Sequence, residues 1–230
     1  MFRKKYWIFL LLLLLAGGCR ERGSAAAAVP VEAEPEAIVA HFNPAFTEQA
    51  IPPEVEARMR GNSYPENATV PLDELRYLRL AYYDFEGRQQ MGEMVCNKAI
   101  AQDLLEIFRA LYEAQYPICS IRLVDDFGGS DDASMEADNT SCFNFRTVPG
   151  QRNLSRHALG MAVDVNPLEN PYITRRGQVM PAGAEKYVDR TQSFPHKIDR
   201  DDLCYRLFQE HGFSWGGAWQ NSKDYQHFQK

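Results

Sequence analysis

The sequence predicts an α+β domain built on a small, mostly antiparallel sheet with flanking helices. Three observations carry this. Residues 77–85 are aromatic-rich and extended, Glu86-Gly87-Arg88 reads as a turn, and residues 89–96 return, the pattern of a hairpin. Ile100, Leu104, Ile107, Phe108, Leu111 and Tyr112 recur at helical spacing, which predicts an amphipathic helix over 97–115, closed by Pro117. The remaining strand and helix signals do not follow the strand–helix–strand rhythm of a parallel sheet. A chain of 230 residues suffices for one such domain with a sizeable core.

The elements follow in order. Arg3, Lys4 and Lys5 precede an apolar run over 6–15 and then Ala16-Gly17-Gly18. The run is too short to span a bilayer and reads as a secretory signal over 1–18. Cys19 directly after the small residues resembles a bacterial lipoprotein processing site, which implies cleavage before Cys19 and its lipidation. The other reading is ordinary cleavage nearby, with Cys19 left as a spare thiol. Residues 19–70 are small, acidic and Pro-interrupted, so they are expected to form a flexible tether to a domain at 71–230. After the hairpin and helix, 118–124 reads as a strand. Residues 125–141 form a long acidic, Gly-containing loop, and a loop of that length is more often functional than idle. A strand over 161–166, a helix over 201–211 closed by Gly212, and a short extended end at 225–229 complete the reading.

Composition narrows the function. The formal charge is −6 with no basic stripe, which argues against nucleic acid as a partner. Any membrane attachment is expected only through the anchor, and the protein is expected to be an exported monomer of the cell envelope. In an oxidising compartment Cys96, Cys119, Cys142 and Cys204 allow one or two disulfides, and four cysteines leave three pairings open. None has the spacing of a structural zinc site. Asp125-Asp126 and Asp131-Asp132 lack the alternation of a calcium loop and read as solvated.

The chemistry concentrates in Ser155-Arg-His-Ala-Leu-Gly-Met-Ala-Val-Asp164. On a strand, Met161, Val163 and Val165 face one side, and Ala162, Asp164 and Asn166 the other. His157 lies an odd number of residues from Asp164, so a bend at Gly160 is needed to bring the two together. A second element near the end carries Asp224 and His227. A hydrolytic zinc site takes three protein ligands, and the hydrolysis needs a nearby base and a cation for the developing oxyanion. His157, Asp164 and His227 fit as ligands and Asp224 as the base. Arg146 offers the cation, or else a salt bridge to the acidic loop. Trp215 and Trp219 flank Gly216-Gly217 and wall either the cleft or the core. His211, at a helix end, reads as structural, whereas His196 sits in a loop that could face a cleft.

These residues resemble the zinc D-alanyl-D-alanine carboxypeptidases and L-alanyl-D-glutamate endopeptidases of bacterial cell walls. The family pattern Ser-x-His-x-x-Gly-x-Ala-x-Asp stands whole at Ser155, His157, Gly160, Ala162 and Asp164. The later acid-x-x-His stands at Asp224 and His227, and an upstream Ser-to-Arg stretch at Ser141 to Arg146 is more widely spaced than the family's. The resemblance implies a hedgehog/DD-peptidase-like fold and Zn2+ held by His157, Asp164 and His227. It also implies Asp224 as proton carrier, Arg146 at the oxyanion, and Ser155 bonding the substrate or orienting a ligand. The substrates implied are peptidoglycan stem peptides, cut either as a carboxypeptidase or as an endopeptidase. A non-catalytic zinc-bearing module that only binds wall peptides or a protein partner is the alternative.

Overall fold

The computed structural model describes residues 42–148 and 152–230; the signal segment and Cys19 lie outside them. In chain order come β1 (Phe46–Ala50), α1 (Pro53–Met59), β2 (Leu75–Tyr83), β3 (Gln89–Asn97) and α2 (Ala101–Glu113). Next are β4 (Ser120–Ile121), α3 (Asp131–Glu136), β5 (Asn139–Thr140), β6 (Ala162–Asp164), β7 (Tyr172–Ile173) and β8 (Val179–Met180). The chain ends through α4 (Leu203–Glu210), β9 (Ser214–Trp215), β10 (Lys223–Asp224) and β11 (His227–Gln229). The α+β class and the antiparallel character are as read from the sequence; β4 and β5 form a parallel pair. Among the described residues no helix is long and apolar enough to cross a membrane.

The main sheet has the order β1-β2-β3, antiparallel throughout. Period-two alternation gives it two covered faces. Leu78 and Leu80 of β2 and Met94 and Cys96 of β3 join Leu104, Ile107, Phe108 and Leu111 of α2 in one buried cluster. Leu75, Tyr77 and Val95 belong to a second cluster, with Val55 and Met59 of α1 and with Tyr64, Val70, Leu123 and Phe143. This second face corrects the expected tether. Residues 46–59 contribute a strand and a helix, and Met59 is fully buried. An apolar sheet face left to water would cost about 25 cal/mol per Å2, and this acidic, Pro-rich stretch spends its few apolar residues covering it.

Other expected elements shrink. The helix expected over 97–115 starts at Ala101, because Asn97 ends β3 and its side chain accepts from Ala99 N. The strand expected over 118–124 pairs over two residues and then enters a 3-10 turn at Val124–Phe127. The long acidic loop contains α3, whose first turn is capped by the Ser130 side chain accepting from Ala133 N. Cys96, Cys119, Cys142 and Cys204 are all free thiols, so no disulfide forms among the described residues.

A second, smaller sheet of order β6-β11-β9 positions the site. Val163, Phe228 and Trp215 drive its inner face into the cluster shared with α2 and α4. Phe228 is fully buried and stacks on Phe208 of α4 at 4.2 Å between ring centres. Burial of such a side chain stabilises by roughly 1.5–3 kcal/mol. By alternation, whatever flanks Phe228 and Val163 must face the other way.

Candidate active site

Three side chains emerge on that other face. Asp164 of β6 and His227 of β11 are direct cross-strand partners. His157 arrives from a 3-10 turn, Arg156–Leu159, capped by the Ser155 side chain accepting from His157 N at 3.2 Å. Gly160 ends the turn with φ +67°, and a Cβ there would lie 2.6 Å from Asn97 N. Only glycine tolerates both the left-handed backbone and that approach. The bend needed to unite His157 with Asp164 is therefore a turn closed at Gly160.

The donor atoms converge tightly. Asp164 Oδ2 lies 3.1 Å from His157 Nε2, Asp164 Oδ1 lies 2.9 Å from His227 Nδ1, and the two ring nitrogens are 3.1 Å apart. All three residues are buried, and their ligand atoms lie within 4.8 Å of one another. The tautomers follow from the outer partners. His157 Nδ1 donates to Cys142 O at 2.6 Å, and His227 Nε2 donates to Gln229 Oε1 at 2.9 Å. Both acceptors can only accept, so His157 Nε2 and His227 Nδ1 turn their lone pairs inward. Outer-shell bonds of this kind fix ligand orientation in metal sites.

Three inward lone-pair donors without a cation repel, so the cluster must hold either a proton or a metal ion. The charge balance shows it. Burial works to lower the His227 pKa, but the hydrogen bond and charge of Asp164 raise it to about 9. Burial would raise the Asp164 pKa, but the two imidazoles hold it well below the usual carboxylate range. Two imidazoles and a carboxylate are a fitting donor set for zinc, which takes N and O ligands at three protein positions in catalytic sites.

The cleft beside the cluster is lined by Asp131, Arg146, Ser155, Trp219, Asp224 and Gln226, among others. Asp224 Oδ1 is enclosed and has no hydrogen-bond partner among the described residues. Burial is the main cause that pushes the Asp224 pKa up to about 7, with His227 opposing and Asp164 adding. Strand β10, which bears Asp224, packs over Gly216, where a Cβ would meet Asp224 Cβ at 2.7 Å and His227 Cβ at 3.3 Å. Arg146 is brought alongside by a backbone bond, Ser155 N donating to Arg146 O at 3.0 Å. Its Nη2 pairs with Asp131 Oδ2 at 2.8 Å, so it both lines the cleft and binds the acidic loop.

Trp219 lies beside the His227 ring at 5.3 Å, whereas Trp215 is core, its Nε1 donating to Tyr225 O. His196 stacks on Phe85 at 3.6 Å and does not line this cleft; His211 bonds Leu207 O at its helix end. The sequence reading missed Gln229, Gly216 and Asp131. Gln229 and Gly216 had local signals in hindsight: the i+2 alternation after His227, and the Gly pair between two tryptophans.

Residues 149–230 match a family model described as D-alanyl-D-alanine carboxypeptidase. Arg146 and Asp131 lie outside the matched segment. No curated protein and no solved structure matches the chain. The matched segment carries Ser155, His157, Asp164, Asp224 and His227, and over it the chain is similar to the D-alanyl-D-alanine carboxypeptidase family, the resemblance its sequence motifs had implied.

Proposed function

We propose that the protein is a zinc-dependent peptidase that hydrolyses peptidoglycan stem peptides. The observation that carries this reading is the convergence of His157 Nε2, Asp164 and His227 Nδ1, with the unpartnered Asp224 Oδ1 in the same cleft. The matched family description supports the reaction class. A zinc ion held by these three residues supplies Lewis acidity and a water whose pKa falls toward about 7.

The chain's own residues do the rest. Asp224, whose enclosed Oδ1 has no partner among the described residues, takes a proton from the attacking water and passes it to the amine nitrogen as the C–N bond breaks. Arg146 donates to the carbonyl oxygen as negative charge grows there. Ser155 caps the turn that aims His157. Cys142 O and Gln229 Oε1 hold the two imidazoles in the tautomers that leave a lone pair inward. Trp219 packs beside His227 and shields one flank of the cleft. An exported domain held to the envelope by a lipid on Cys19 would meet this substrate. The positive n-region, short apolar run and small residues before Cys19 support that placement.

Purified stem peptides digested by the zinc-loaded protein, by Asp224→Ala and after chelation test the proposal. Mass spectrometry should show new termini with the wild type. Asp224→Ala should be about 10²–10⁴-fold slower. Chelation should stop the reaction and added zinc restore it. Absence of new termini from every stem peptide with zinc-loaded wild type would overturn it. The masses also separate the two cutting modes, free D-Ala indicating a carboxypeptidase and longer fragments an endopeptidase.

A further inference from the structure

Arg146 has an acidic partner that the matched family segment does not reach. Its Nη2 lies 2.8 Å from Asp131 Oδ2, and both side chains are only 22 % exposed and line the cleft. Arg146 Nε is enclosed and has no partner among the described residues. The guanidinium is therefore located by its backbone and by Asp131. Asp131 itself stands on a fixed support. It begins α3, and Ser134 of that helix accepts from Asn139 Nδ2 at 3.0 Å. Asn139 is buried and locks onto β4 through Ser120 Oγ, Arg122 N and Arg122 O.

We propose that Asp131 is the positioning residue for Arg146: it holds the guanidinium at the cleft wall and balances its charge. Arg146 then serves as a fixed hydrogen-bond donor to a peptide carbonyl and not as a receptor for a free carboxylate. The physical reason is geometric and electrostatic. An arginine with both outer nitrogens and its full charge available grips carboxylates bidentately. One whose Nη2 is paired with Asp131 and whose Nε is enclosed has one side of its fork taken up and its charge offset by a carboxylate. A misplaced guanidinium would lose the oxyanion contact, and displacements of about 1 Å can cost up to about 10²-fold in rate. The inference rests on the peptidase reading above, but its test includes a readout that does not.

The experiment compares the full chain as wild type, Asp131→Asn, Asp131→Glu, Arg146→Ala and the double variant Asp131→Asn with Arg146→Ala. Steady-state kinetics on a stem peptide with a free C-terminus should show Asp131→Asn losing about tenfold or more in kcat. KM should stay level or fall, because the freed guanidinium now grips the substrate carboxylate. Asp131→Glu should recover most of the rate, and Asp131→Asn should cost nothing further once Arg146 is gone. A purely structural role for Asp131 would instead lower the rate equally with and without Arg146. Arginine side-chain 15N NMR of the metal-free protein gives the independent readout. The Arg146 Nε–H resonance should be resolved in wild type and shift or broaden in Asp131→Asn. An unchanged resonance, or wild-type kcat in Asp131→Asn, would overturn the proposal. A wild type inert on every peptide would sink the peptidase reading alone, and the NMR would then decide this one.

Discussion

The β2–β3 hairpin with α2, and the site built from residues 141–148, 152–166 and 214–229, are made in opposite ways. The first is long and periodic: nine-residue strands in full register and a thirteen-residue helix, cemented by side chains that are almost all apolar. The second uses strands of two or three residues, two short 3-10 turns at Arg156–Leu159 and Gly216–Ala218 and a left-handed glycine, and its geometry is set by individual hydrogen bonds. Burial energy is non-directional and tolerates small shifts, so it suits a scaffold. Convergence of three donor atoms needs directional constraints at each residue. Stability should therefore reside mainly in the first region and chemistry in the second, and the strongest tests lie where they meet.

The largest effect is expected at Phe228, which belongs to both regions. Phe228→Ala removes a fully buried ring stacked on Phe208 and should cost about 3–5 kcal/mol in chemical denaturation. It should also weaken metal binding, because β11 carries His227 on its other face. A loss under 1 kcal/mol would show that the small sheet is not held by the main core. Gly160→Ala comes next. It forces a left-handed residue against Asn97 N at 2.6 Å, which should cost about 1–3 kcal/mol and displace His157. Its metal affinity should fall by more than its stability loss alone explains, and calorimetric titration with zinc would show whether it does.

Gln229→Leu sharpens the contrast further. It removes the acceptor of His227 Nε2 while keeping bulk, so metal affinity should fall about 10–100-fold. Thermal stability of the metal-free protein should change little, and a large change would mean Gln229 belongs to the scaffold. A further test is one of pH. With its folded pKa raised to about 9 from an ordinary value near 6.5, His227 binds a proton more tightly folded than unfolded. Its contribution to metal-free stability is complete below about pH 6.5 and is lost as pH rises through about 9. Zinc must displace that proton, so affinity should climb with pH across the same window. Denaturation curves and zinc titrations at stepped pH should move in opposite directions.

What could be read in advance divides along the same line. The hairpin and α2 were legible because long apolar periods report burial directly, with errors of a few residues at the ends. His157, Asp164, Asp224 and His227 were legible because they stand in a spaced motif with a bend built in at Gly160. The coverage of the second sheet face by residues 46–70 was not, since a sparse set of apolar residues among acids and prolines looks like solvated chain until the bare face is known. Nor was α3 foreseen. Its acids at 131 and 132 suggested a loop, although Ser130 before them is an N-cap and acids in a first turn favour a helix. A salt bridge from Arg146 to the acidic loop was one of two readings the sequence left open, but which acid of that loop pairs with it was not legible.

The most direct test of the central claim is the metal content and affinity of the purified chain. Elemental analysis and zinc titration should give one zinc per chain for the wild type. Uptake should be lost in each of His157→Ala, Asp164→Ala and His227→Ala while the main core still unfolds cooperatively. A wild type that takes up no metal, or single variants that bind zinc as tightly as the wild type, would contradict the account.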